Sequence, residues 1–185
     1  YQLVALPGVV VEEENVEDLK AVWPVLKQAL EEAMAQHMAM RRTEGERIRE
    51  DMLDKLSGLK RMTADISSRS GEVLAAYRLK LRTRITELAD GIEINEERLA
   101  QEVAYFAEKS CIDEELVRLS SHFAQFEQIV SAQGDIGRKL DFLVQEMNRE
   151  TNTIGSKAND LTIAQLVVDM KSELEKIREQ VQNVE

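Results

Sequence analysis

Aromatic side chains are scarce in this chain, at 4% of residues, and proline is scarcer still, with two in 185. Glycine adds only eight. A chain so poor in turn formers leaves little room for a many-turned sheet fold. Cysteine occurs once, at Cys111, which excludes an internal disulfide and fits a reducing cytoplasm. No apolar run approaches the roughly 18–20 residues that cross a membrane, and no signal-peptide pattern is visible. The familiar catalytic signatures are missing too: there is no Walker loop, HExxH, CxxC or GxSxG. The first residue is Tyr1 rather than Met, so the natural chain is expected to begin earlier.

What the chain does have is Ala, Leu, Met, Val and Ile, within 43% hydrophobic residues, beside 32% charged ones. That mixture reads as long helices packed on helices, an all-α fold. Only residues 1–11, YQLVALPGVVV, have β character, and an isolated strand cannot stand alone. Residues 1–14 are therefore read as a short β remnant, the tail of a β-containing N-terminal domain. Beyond an Asn15 cap, Val16, Leu19, Trp23, Leu26, Leu30, Ala33, His37 and Met40 alternate spacings of three and four. Pro24 predicts a kink or restart in that seam, and Gly45, Gly58 and Gly71 weaken the continuation to Leu88. A straight helix of that length, on the order of 100 Å, cannot bury its own stripe. It must fold back or pair with other chains, and a coiled-coil-like hairpin is expected over 15–90.

Asp90-Gly91 is the first clear stop, and 91–185 reads as a C-terminal helical bundle. Asn95 and Asp113 are expected to cap its first two helices, Asp135 a third that breaks near Gly155, and Asp160 or Thr162 the last.

The net charge of −11 argues against a surface coated with phosphate-binding residues, yet distribution matters more than the sum. Between residues 60 and 84, Lys60, Arg61, Arg69, Arg78, Lys80, Arg82 and Arg84 face only Asp65 and Glu72. That block is either a phosphate surface or a solvated helix face.

The segment GRKLDFLVQEMNRETNTIGSK, residues 137–157, breaks a local rule. Ile136, Leu140, Leu143, Met147 and Ile154 make an ordinary buried stripe, but two asparagines and two threonines within six residues are poor helix formers. Such violations gather at functional sites. Glu146 and Glu150, four apart on one face, could share a divalent cation through hard oxygens. Arg149, Lys157, Asn148 and Asn152 suit phosphate and ribose contacts. The same residues would equally make a salt-bridge network between subunits. His122, among Ser120 and Ser121, is either a general acid or base or a structural histidine. Arg41, Arg42 and Glu44, beside Gly45, are either a site or a charged coiled-coil surface.

The stretch GRKLDFLVQEMNRETNTIGSKAND, the terminal KSELEKIREQVQNVE, and the segments RRTEGERI, EINEERLAQEVA and IDEELVRLSSHF together resemble the YicC/YloC-like endoribonuclease family. The resemblance covers essentially the whole chain and implies a further N-terminal segment contributing β-strands. It implies a cytoplasmic endoribonuclease that needs a divalent metal, Mn or Mg, and works as a ring-like homo-oligomer, a hexamer, with RNA as substrate. Carried onto matching positions, Glu146 and Glu150 are assigned to the metal, with Asp141 or Glu44 beside them, and His122 to acid–base work. Arg41, Arg42, Arg138, Lys139, Asn148, Arg149, Asn152 and Lys157 are assigned to RNA. A non-catalytic helical RNA-binding adaptor and a purely structural oligomer are the competing readings.

Overall fold

The computed structural model describes residues 19–88, 95–132, 134–182 and 184. Five helices follow one another: α1 (Leu19–Leu88), α2 (Glu96–Lys109), α3 (Asp113–Val130), α4 (Gly137–Lys157) and α5 (Leu161–Val181). Among the described residues there is no strand, so the all-α expectation holds; the β remnant and the Asn15 cap fall outside them.

The hairpin expected within 15–90 does not form. α1 is one helix of 70 residues, continuing through Pro24, Gly45, Gly58 and Gly71. Pro24 lies in the second turn, where it removes a single helical hydrogen bond near an end that is under-bonded anyway. Each interior glycine costs about 1 kcal/mol relative to alanine. Met52, Leu56, Leu59 and Ile66, which flank Gly58, are buried almost completely and outweigh that cost.

Two compact units divide the chain, Tyr1–Gly45 and Glu46–Glu185. In the first, the described helix exposes Trp23, Leu26, Leu30 and Met34 along one stripe. The second gathers the rest of α1 with α3, α4 and α5 around one apolar cluster, while α2 meets α1 through Tyr77 and Phe106. The latter half of the 15–90 region therefore packs with the 91–185 region rather than standing apart from it.

Polar contacts give the directions in this second unit. Tyr77 stacks on Phe106 with ring centroids 3.7 Å apart, and Arg82 meets Glu96 at 3.0 Å, so α2 runs back along α1. α3 continues that descent, with Lys60 Nζ 2.7 Å from Glu127. α4 then returns, and α5 descends against α1, tied by Asp51–Gln180 near one end and Arg69–Asp160 near the other. α4 packs on both α3 and α5. Leu140, Leu143, Met147 and Ile154 are its buried stripe. Burial of four such side chains contributes on the order of 6–12 kcal/mol before chain entropy is counted.

Capping departs from expectation in two places. Asn95 accepts from the Arg98 amide and Asp160 from the Thr162 and Ile163 amides, as their sequence positions suggest. α3 and α4, however, begin after Ile112 and Ile136, whose side chains cap nothing. Ile112 is buried in the core and Ile136 packs against it, so an apolar anchor replaces a polar cap. The break near Gly155 is absent as well, since α4 runs on to Lys157. A Cβ on Gly155 would stand 2.9 Å from Val167 Cγ1, so this glycine is there for the approach of α5.

Candidate active site

α3 and α4 run antiparallel, and their facing edges are polar. On α4, Glu150 lies three residues beyond buried Met147, which rolls its carboxylate toward the core edge; Glu150 is 4% exposed. Glu146 lies one turn earlier on the same face. On α3, Glu115, Arg118 and His122 recur at spacings of three and four and face them. His122, Glu146 and Glu150 each bring one ligand-competent atom to within 4.8 Å of the others. The Nδ1 atom of His122 is buried and has no hydrogen-bond partner among the described residues. A buried, unpartnered imidazole nitrogen beside two carboxylates fits a divalent cation, whose borderline members accept nitrogen and oxygen together.

The seam continues toward the other end of α3. Arg118 Nη1 reaches Glu150 Oε1 at 3.4 Å, and its Nη2 donates to Glu114 one turn earlier. Glu114, then Glu150, hold the Arg118 guanidinium more firmly protonated than usual. Next along, Lys157 Nζ donates to Glu115 Oε1 at 2.8 Å. Burial pushes the Glu115 carboxyl up, but Lys157 and its own backbone amide outweigh that, leaving it below the ordinary carboxylate value.

The sequence-assigned residues divide accordingly. Glu146, Glu150 and His122 come together; Asp141 does not join them and instead accepts from Gln145 at 2.6 Å. Arg41, Arg42 and Glu44 sit exposed on α1 in the Tyr1–Gly45 unit. Arg138, Lys139 and Arg149 are exposed on α4, Asn152 donates to Asn148 at 2.8 Å, and Lys157 is engaged with Glu115. In the basic block, Lys60, Arg69, Arg82 and Arg84 are all paired with carboxylates, so much of its charge is spent within the fold. Sequence reasoning missed Arg118, Glu114 and Glu115. The signal was EELVRLSSH, whose charged positions repeat at helical spacing on the face that carries His122.

Fold and seam thus define an all-α bundle with a carboxylate–imidazole cluster between two antiparallel helices. Comparison with known proteins is consistent across the chain. A family model described as "Endoribonuclease YicC-like, C-terminal" matches residues 66–185, and one described as "Endoribonuclease YicC-like, N-terminal region" matches residues 1–50. The chain belongs to the YicC-like endoribonuclease family. It is 50% identical over 180 residues to a probable endoribonuclease YicC of Clostridioides difficile (strain 630), and 34% identical over 179 residues to one of Haemophilus influenzae. Each alignment takes in 97% of this chain and 61% of the relative, so the chain spans about three fifths of the curated relatives' length.

Proposed function

We propose that this chain carries the cleavage site of an endoribonuclease, in which Glu146, Glu150 and His122 hold a divalent cation, Mn or Mg. The observation that carries the reading is the convergence of those three groups with a buried, unsatisfied His122 Nδ1. The names of the two relatives supply the substrate class. Such a cation, when bound, would lower the pKa of a water and polarise a phosphodiester oxygen. The chain's own contribution is positional. The apolar core under Leu143 and Met147 fixes α4, so both carboxylates stay on one face; Lys157–Glu115 and Arg118 hold α3 opposite them. Arg138, Lys139 and Arg149, exposed on the same helix, supply phosphate contacts.

Action as a ring-like homo-oligomer, a hexamer, belongs to the same proposal. Its support here is the exposed stripe of Trp23, Leu26, Leu30 and Met34, more apolar surface than a helix leaves open without a partner.

A second reading, an RNA-binding adaptor without cleavage, is favoured by one contact: Arg118 already neutralises Glu150, as a purely structural tie would. Incubation of a structured RNA with the full-length protein, with and without EDTA, separates the two. Mn²⁺- or Mg²⁺-dependent cleavage that disappears in Glu146→Gln and Glu150→Gln supports the enzyme. RNA binding without cleavage supports the adaptor.

A further inference from the structure

α4 presents a third face, away from the core and bordering the α3 seam. Phe142 sits on it with 60% of its surface exposed, in the middle of a helix whose other large apolar residues are buried. Arg138 lies four residues before it, Gln145 three after and Arg149 seven after, so the four share one stripe. Arg138, Lys139 and Arg149 are exposed, and among the described residues none has a carboxylate partner. The three stand within twelve residues of one helix and flank its one exposed large apolar side chain, in a chain of net charge −11.

We infer that Phe142 is a stacking platform for an unpaired nucleobase of the RNA, flanked by phosphate contacts from Arg138, Lys139 and Arg149. The inference rests on the proposed endoribonuclease reading and narrows its substrate to RNA that is single-stranded at the site. The charge selects a polyanion. The aromatic ring then selects among polyanions: bases inside a duplex are stacked on each other and closed to it, whereas an unpaired base offers a free π face. Interleaved cations and an aromatic ring are the usual composition of a single-strand track. A second copy of this chain fits the face less well, because three like charges around a self-complementary contact would repel. Placement favours a substrate role too. Phe142 is one turn from Glu146, so a base seated on the ring brings its own backbone beside the carboxylate–imidazole cluster.

The test uses the full-length protein, a single-stranded RNA carrying 2-aminopurine, and a blunt duplex of the same sequence. Wild type is expected to quench the probe in the single strand and to bind that strand more tightly than the duplex. Phe142→Ala should lose the quenching and bind the single strand about tenfold more weakly, with duplex affinity unchanged. Phe142→Trp should restore both signals, which a residue needed only for folding would not do. Arg138→Gln and Arg149→Gln should weaken both RNAs and reduce the salt slope by about one each. Unaltered single-strand binding by Phe142→Ala overturns the inference, as does a fall in oligomeric mass with RNA binding intact, which would assign the face to contact between copies. Failure of wild type to bind either RNA would sink the endoribonuclease reading itself, a distinguishable result.

Discussion

Arg118 Nη1 stands 3.4 Å from Glu150 Oε1, so a fixed cation already leans on a carboxylate proposed for a metal. The two cations compete for one anion. Arg118→Ala should therefore tighten Mn²⁺ binding several-fold by calorimetry. It should also lower the melting temperature without metal, because Glu150 is left buried and unpaired. Added Mn²⁺ should then raise that temperature by more than it does in wild type. Weaker Mn²⁺ binding in the variant would show that Arg118 supports the site instead of competing for it.

Loss of either carboxylate has a sharper expectation. Glu146→Gln and Glu150→Gln should each weaken Mn²⁺ binding by on the order of 100-fold, since even groups behind the ligands contribute 10–100-fold. His122→Ala should do likewise if its nitrogen is a ligand. Normal metal affinity with lost cleavage in His122→Ala would reassign the histidine to proton transfer. Asp141→Asn, off the cluster and paired with Gln145, should leave metal affinity unchanged.

Acid stability should report Asp160. The Arg69 guanidinium, bonded to this carboxylate at 2.8 Å, holds it below its ordinary value of 3.8, with help from the Ile163 and Thr162 amides. As pH falls, the unfolded chain takes up the proton first. The contribution is thus complete above pH 3.8 and is lost as pH descends through the lower folded value. Asp160→Asn keeps an N-cap but loses the charge. Its unfolding free energy should lie closest to wild type at the most acid pH and fall furthest below it near neutrality. A constant difference from pH 2 to pH 7 would contradict the assignment.

At the α4–α5 crossing, Gly155→Ala gains helix propensity of about 1 kcal/mol but forces Val167 Cγ1 to move from 2.9 Å. Overpacking of this kind costs about 1–3 kcal/mol, so net destabilisation is expected. Val167→Ala in the same chain should recover part of it, giving a coupling of at least about 0.5 kcal/mol in a double-mutant cycle. Strict additivity would mean the two residues do not limit each other.

The apolar stripe of α1 offers the test of assembly. Leu30→Asp and Met34→Asp, both at exposed positions, should leave the fold intact by circular dichroism and reduce the mass measured by light scattering. An unchanged mass would remove this stripe from the assembly interface.

Much of this was legible from local pattern. Stripes such as Leu140–Leu143–Met147–Ile154 located the helices, and Asn95 and Asp160 marked true caps. Two kinds of information were not local. Gly155 reads as a break in isolation, and only the arrival of Val167 shows it to be a contact point. Likewise Glu146 and Glu150 could be paired by helical spacing, but which α3 residues face them depends on the registry of two antiparallel helices. His122 was therefore a candidate without an address, and Arg118 was not a candidate at all. Asp141 looked equivalent to Glu146 by composition, yet it points along α4 toward Gln145.

The α3–α4 seam is also a keyed joint. Glu115 meets Lys157, Arg118 meets Glu150 and His122 meets the two glutamates, so charge alternates along the joint. A slip of one turn, about 5.4 Å, would carry Lys157 toward Arg118 in one direction and Glu150 toward Glu114 in the other. Leucine and methionine beneath would tolerate such a slip far better, since one apolar neighbour substitutes for the next. The core makes α3 and α4 adhere, while the ions set which residues stand opposite. The spacing of the three candidate ligands is thus written in the charge pattern, and mispaired copies of this bundle are repelled into alignment.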